Sequence, residues 1–368
     1  MNATLRRAAV ALTATAMAVS LAACGSAKEA NGKQGSGEKK KDGPLTIGLL
    51  LPEDQTARYE NFDKPLIEAK IKELCSDCEV TYVNAKQDAS VQQQQMDSMI
   101  TKKVDVIILD AVDAKSVSGS VRKADSAGIP VVAYDRLAEG PISAYTSFDN
   151  EEVGKVQGQA LLDAIGDKAD DGQIVMMNGS PTDPNAAMFK KGAKSVLNGK
   201  VKVGKSYDTT KWEPSEAHKN MNGAISAIGK KNIVGVYSAN DGMAGGIITA
   251  LKGAGFDKLP PVTGQDAELA GVQRIVAGEQ HMSVYKPYKP EADAAAEMAI
   301  ALARGEELKA ETTVDSPTTK GVPATLIAPI SLTVDNIEKT VLKDGLYELK
   351  QICTPKYEAA CAKAGLTG

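Results

Sequence analysis

Histidine is nearly missing from this chain, with two in 368 residues. His218 and His281 are isolated, neither stands at a metal-ligand spacing, and no Gly-x-Ser-x-Gly elbow is present. Triad hydrolysis and histidine-based metal sites are therefore excluded as readings, and no acid and base pair can be assigned. The chain reads as a protein that is not an enzyme and takes no cofactor or metal. Excess positive charge is lacking too: the net charge is -4 and the pI about 5.5, which removes the electrostatic basis for nucleic-acid binding. Aromatic residues make up only 4% of the chain, with a single tryptophan, Trp212. So scarce a side chain is worth following to its place in the fold. Beyond the first two dozen residues, no apolar run is long enough to span a bilayer.

What the amino terminus does contain is a targeting pattern. Arg6 and Arg7 supply a positive start, residues 8–20 are apolar but short for a membrane helix, and Leu21-Ala22-Ala23-Cys24-Gly25 follows. Small residues before a cysteine resemble a bacterial lipobox, which implies that residues 1–23 are a lipoprotein signal peptide and that Cys24 is acylated. The bland alternative is an ordinary cleavage site with Cys24 left as a thiol. Two or more acyl chains would hold the protein outside the cytoplasm, on the cell membrane. Residues 24–43 are then the lipidated cysteine and a flexible tether of Gly, Ser, Lys and Glu, about 25 Å long on average by random-chain scaling. Lys39, Lys40 and Lys41 read as a solvated charge run.

The other four cysteines fall in two close couples, Cys75 with Cys78 and Cys353 with Cys361. In an exported chain an even number suggests disulfides, and pairing within each couple is the simplest of three connectivities. The C-x-x-C spacing of the first couple closes a helical segment and precedes a strand, whereas a redox-active pair would open a helix.

Between residues 45 and 285, short β-rich runs alternate with longer amphipathic stretches. The runs cover 45–51, 80–83, 104–109, 129–134 and 142–146, then 173–177, 200–207, 233–237, 261–264 and 281–285. Residues 66–74, 91–102, 116–127, 151–165 and 291–304 are helical candidates, and in 91–102 the glutamines 92–95 form the polar side while Val91, Met96, Met99 and Ile100 form the buried one. Continuous apolar strands spaced by helices predict an α/β fold of two doubly wound parallel-sheet lobes. The lobes are expected over 44–148 plus 286–325 and over 149–285 plus 326–350, with 351–368 as a carboxy-terminal extension to which no function is assigned. Lobes joined by several crossings can hinge about a ligand.

Gly199 to Ser206 matches the phosphate-binding pattern G-x-x-x-x-G-K-[ST] letter for letter. Its context is wrong, because such a loop must follow a strand and open a helix. Here the inner residues alternate Lys and Val like a half-exposed strand, so the match is read as coincidence.

Several apolar runs end on charged or amide side chains: Asp135 and Arg136, Asn240 and Asp241, Gln265 and Asp266, and Lys286. At the carboxyl ends of strands in an open α/β sheet, such groups face the ligand crevice. Carboxylates accept, guanidinium and ammonium groups donate, and amides do both, which suits the alternating hydroxyls of a small polyhydroxylated molecule. Trp212 and Tyr59 supply the aromatic surface on which a sugar's C–H face packs. The competing reading makes Asp135, Arg136 and Asp266 interior ion pairs or strand-end caps.

Along the same stretches, Ala133 to Arg136, Ser147 to Asn150, Gly179 to Asn185, Ser238 to Asp241, Gly264 to Gly271 and Val284 to Pro287 resemble the periplasmic D-xylose-binding proteins of ABC transporters. That family belongs with the ribose-binding-like proteins of the type I periplasmic-binding fold, and the resemblance runs from about Leu45 to Leu346. It implies that Arg58, Asp135 and Arg136 contact a sugar from the first lobe, and that Asn185, Trp212, Asn240, Asp266 and Lys286 do so from the second lobe and the hinge. It also implies a monomer that binds a monosaccharide, D-xylose foremost, and delivers it to an ABC permease. Tyr59 stands where the xylose branch carries tryptophan, and Pro52-Glu53 replaces an acidic pair. The alternative is a sensor that presents another aldose, such as ribose, glucose, galactose or arabinose, to a membrane receptor or kinase.

Overall fold

Strands that carry β-branched and aliphatic side chains on both faces are stable only when both faces are covered, and most of the strands here meet that condition. The computed structural model describes residues 43–367; the expected signal peptide, the expected lipidation site Cys24 and the expected tether fall, up to residue 42, outside the described residues. Among those described, the strands in chain order are β1 (Thr46–Leu51), β2 (Glu79–Asn84), β3 (Val106–Leu109), β4 (Val131–Tyr134), β5 (Ala144–Phe148), β6 (Gln173–Asn178), β7 (Lys202–Asp208), β8 (Ile233–Ser238), β9 (Ser283–Tyr285), β10 (Thr312–Val314), β11 (Val322–Ile327) and β12 (Ile330–Leu332).

The first lobe is a seven-stranded sheet in the order β10-β11-β5-β4-β3-β1-β2, parallel throughout except for the edge pair β10 and β11. Its central strands β3 and β4 are wholly buried, and Leu49 of β1 lies opposite both Tyr82 and Ile108. Helices Lys64–Leu74, Ala89–Lys102, Ser118–Ser126 and Tyr288–Arg304 accompany this sheet. In the second lobe β7, β6 and β8 form a parallel sheet, and β9 pairs with β12. Helices Asn150–Ile165 and Pro184–Leu197 approach there backbone to backbone: a Cβ on Gly154 would lie 2.0 Å from the Phe189 carbonyl oxygen, and one on Gly192 2.0 Å from that of Glu151. Only glycine permits that distance.

The chain crosses between lobes after β5, after β9 and between β11 and β12. Leu326 and Ile327 still pair with Ser147 and Phe148 of the first sheet, so the last crossing begins after Ile327.

Three expectations need correction. Residues 261–264 make a single bridge, Val262 to Val236, rather than a strand, because Pro260 and Pro261 carry no N–H for a ladder. Val91 is 36% exposed, whereas Gln92 is buried, donating to the Asp110 carbonyl at 2.7 Å and accepting from the Val112 N–H at 2.9 Å. A glutamine that satisfies two backbone groups is therefore part of the interior and fixes the loop after β3. The span of residues 351–367 is also more than an appendage: Ile352, Cys361 and Leu366 pack into one cluster with Val272, Ile275 and Val276 of the second lobe.

Cys75 pairs with Cys78 and Cys353 with Cys361, at Cα separations of 5.3 Å and 5.9 Å. The first bridge sits at the carboxyl end of helix Lys64–Leu74. Gly199 to Ser206 runs from a turn into β7 and opens no helix, so it cannot cradle a phosphate. No helix among the described residues is long and apolar enough to cross a membrane.

Candidate ligand-binding site

The strand-end side chains meet in one small cavity between the lobes, except for Asp241, whose buried carboxylate accepts instead from Gln280, Ser283 and the Glu268 N–H. The cavity is lined by Arg58, Tyr59, Asp135, Arg136, Asn185, Trp212, Asn240, Asp266 and Lys286, and also by Thr56, Asp183, Phe189 and Gln265.

Local backbone explains much of the arrangement. Asp135, just past β4, has φ 54°, Trp212 has φ 58° and Asp266 has φ 88°. A left-handed conformation in a residue other than glycine costs on the order of 1 kcal/mol or more, and such strain gathers where side chains must be aimed at a ligand. Asn240 is the amino-terminal cap of helix Asp241–Gly253, its Oδ1 accepting from the Met243 N–H at 2.9 Å. The cap position holds the amide at the cavity wall with its NH2 group left over for a ligand.

Arg58 is buried at the centre of the first-lobe wall. Its Nε and Nη2 donate to Asp63 at 2.8 and 3.0 Å, Nη2 also donates to Glu291 at 2.7 Å, and Nη1 donates to Asp135 at 3.3 Å. Four of its five N–H groups are thus engaged, which leaves one on Nη1 for a ligand oxygen. The guanidinium lies over Tyr288 at 4.7 Å and over Tyr59 at 5.2 Å. Tyr59 donates its hydroxyl to Asp135 at 3.1 Å and accepts from Arg136 Nη2 at 3.2 Å. Burial alone would raise the Asp135 carboxyl, but Arg58, Lys286 and Arg136 outweigh it and hold it below the usual carboxylate range. Asp135 is therefore an ionised acceptor.

From the second lobe, Lys286 forms an ion pair with Asp266 at 2.9 Å and stands over the Phe148 and Phe189 rings at 5.1 and 5.8 Å. Asn185 donates across the cleft to the Asp135 carbonyl at 3.1 Å. The Trp212 indole meets Phe189 edge-on at 6.4 Å and donates its N–H to Asp183 at 3.2 Å. Gln265 is buried with its Oε1 unpartnered. Behind the wall, neither oxygen of the buried Asp110 carboxylate accepts a hydrogen bond, and burial pushes that group well above its ordinary value although Arg136 lies 3.5 Å away.

Of the lining residues, Thr56, Asp183 and Phe189 were not among the sequence candidates, and Gln265 was named only as a strand-end group and not as a sugar contact. Phe189 lies four positions after Asn185 on helix Pro184–Leu197, a spacing that places both on one face. Asp183 precedes Pro184 at a helix start, so in sequence it reads as a cap alone, and it does cap Asn185 at 2.9 Å.

Trp212 also depends on its neighbour. A Cβ on Gly179 would lie 1.9 Å from the indole Cη2, and the ring, buried against Phe189 and tied to Asp183, has no free path of retreat. Gly179→Ala is expected to displace the indole, shift the emission of the only tryptophan and reduce ligand affinity at least as much as Trp212→Ala does. Unchanged emission and affinity would show that the ring is not fixed by this contact.

Comparisons agree with the geometry. The family described as periplasmic binding protein domain matches residues 47–307. The chain is 37% identical over 314 residues to the D-xylose-binding periplasmic protein of Escherichia coli (strain K12), an alignment covering 84% of this chain and 92% of that one. It is 32% identical over 329 residues to a multiple sugar-binding periplasmic receptor of Rhizobium radiobacter, covering 83% and 92%. Among solved structures, the ABC transporter solute-binding protein of Clostridium phytofermentans with bound β-D-glucose superposes with a TM-score of 0.77 at 26% identity, covering 83% of this chain and 99% of that one. With a cavity walled from two lobes, a two-sheet α/β architecture and these relatives, the chain belongs to the periplasmic binding protein family, among its ribose-binding-like sugar-binding members, and it is a solute binder rather than an enzyme.

Proposed function

We propose that this protein captures a monosaccharide, D-xylose foremost, by closure of its lobes and hands it to an ABC permease while held at the membrane by a lipid on Cys24. The observation that carries the reading is the convergence of ionised acceptors, amides and cationic donors from both lobes on one small cavity with a single indole in its wall. Sugar hydroxyls each donate and accept, and a wall of Asp135, Asp266, Asn185, Asn240, Arg58, Arg136 and Lys286 offers both roles at short range. The C–H face of the ring packs on Trp212. Binding in the cleft draws the lobes together because the ligand contacts both.

A second reading is favoured by Tyr59. Its hydroxyl lies between Asp135 and Arg136, so this part of the wall is polar where the xylose branch is expected to carry an indole. Another aldose, presented to a membrane receptor, would use that polarity. Titration calorimetry with a panel of pentoses and hexoses on the soluble protein separates the readings. D-xylose bound at least tenfold more tightly than its epimers supports the first; preference for ribose, arabinose, glucose or galactose supports the second. Binding to none of them overturns both.

A further inference from the structure

We infer that Asp183 is a positioning residue that ties the tryptophan of the second lobe to the guanidinium of the first when the lobes close, and so sets how long a bound sugar is retained. The inference rests on the sugar-binding reading for its last clause only; the seam itself is described without any ligand.

Asp183 is buried at the start of helix Pro184–Leu197. Its Oδ1 accepts from the Asn185 N–H at 2.9 Å. The other oxygen, Oδ2, lies 3.2 Å from the donor Trp212 Nε1 and 2.8 Å from Arg136 Nε. Arg136 belongs to the opposite lobe, where Nη1 donates to the Ala111 carbonyl at 3.0 Å and Nη2 to the Tyr59 hydroxyl at 3.2 Å. One carboxylate oxygen thus holds the platform of one lobe against the charge of the other. The contact is not isolated: Thr182 Oγ1 donates to the Val112 carbonyl at 3.2 Å, and the Ala114 N–H donates to the Thr182 carbonyl at 3.4 Å. Residues 182 to 185 therefore form a direct seam on the loops that follow β3 and β4.

The physics of the pair is asymmetric in time. In an open form both charges are hydrated, while Trp212 keeps its bond to Asp183 because both belong to the second lobe; what opening removes is the contact of that pair with Arg136. On closure the pair is desolvated, and then each partner needs the other, because a lone buried charge is costly. Sugar enters before the seam forms, so the seam should act on escape rather than on entry.

Asp183→Asn removes the charge and leaves one acceptor oxygen where the carboxylate used two, Oδ1 for the Asn185 N–H and Oδ2 for the indole, so the amide serves the cap or the indole but not both. Stopped-flow tryptophan fluorescence with D-xylose, or with the tightest ligand of the panel, is expected to give a dissociation rate about tenfold faster or more, with association within about twofold of wild type. Asp183→Glu, which retains the charge, is expected to fall between the two and checks the outcome if the asparagine variant folds poorly. Acrylamide quenching of Trp212 in the sugar-free protein supplies a readout independent of any ligand, and it should be faster in Asp183→Asn because the closed form is less populated. Wild-type quenching in a folded Asp183→Asn variant would overturn the seam. Faster quenching with unchanged sugar dissociation would overturn its control of retention. A wild-type protein that binds no sugar at all would sink the sugar reading, while quenching would still decide the seam.

Discussion

Arg58→Ala is expected to lower the unfolding free energy of the sugar-free protein by about 3 to 5 kcal/mol, the usual cost of leaving buried charges without their partner. Arg58 is buried, and the groups it neutralises are buried with it: Asp63 and Glu291 are 0% exposed and Asp135 is 3% exposed. All three belong to the first lobe or to helix Tyr288–Arg304 packed upon it, so the network exists whether or not the cleft is closed. Burial already pushes Glu291 well above its ordinary value in spite of Arg58, and removal of the guanidinium leaves it without its nearest cation. Urea denaturation followed by far-ultraviolet circular dichroism measures the loss. Arg58→Lys, which keeps the charge but cannot reach three carboxylates with a planar fork, should lose less than alanine and more than nothing. A loss below about 1 kcal/mol in Arg58→Ala would mean that the carboxylates find protons or other partners at little cost.

The same residue shows why the sequence could be read for the site but not for the division of labour within it. Arg58 entered as a sugar contact, and it does line the cavity, yet four of its N–H groups serve the first lobe. No spacing in sequence announces that partnership, because Asp135 is 77 positions away and Glu291 is 233 positions away. The parallel strands were legible for the opposite reason. A strand buried on both faces must be apolar without interruption, as in β3 and β4, and that signal is local. The loss of the strand at 261–264 and the burial of Gln92 mark the limits of local signals. Two prolines erase a ladder that the apolar pattern alone suggests, and a glutamine that binds backbone groups in the interior has the same letter as one that faces water. The left-handed backbones at Asp135, Trp212 and Asp266 left no trace either, since nothing in Asp or Trp demands φ above zero. They are set by the tertiary fold, and they fall where the sequence had placed its candidates.

Asp266→Ala is expected to weaken sugar binding by about 2 to 3 kcal/mol, roughly 30- to 150-fold in Kd, which is the scale of a buried hydrogen bond to a charged group. Its backbone is fixed independently of its side chain, with the N–H donating to the Val284 carbonyl at 2.9 Å and the carbonyl accepting from the Tyr288 hydroxyl. The carboxylate, by contrast, faces the cavity and forms an ion pair with Lys286 at 2.9 Å. Loss of that partner leaves Lys286 over the Phe148 and Phe189 rings and within the field of Asp135, so the ammonium retains attraction in the closed form and regains water in an open one. The sugar-free protein should therefore change in stability by less than about 1 kcal/mol, apart from the strain of alanine at φ 88°, which Asp266→Asn avoids because asparagine tolerates that region. Comparison of the two variants by calorimetry separates the charge from the backbone. If both lose affinity alike, the carboxylate charge is what the ligand reads. If asparagine binds as wild type does, hydrogen bonding without charge suffices. If alanine too binds within about threefold of wild type, less than 1 kcal/mol separates them, and Asp266 serves its ion pair with Lys286 rather than the ligand.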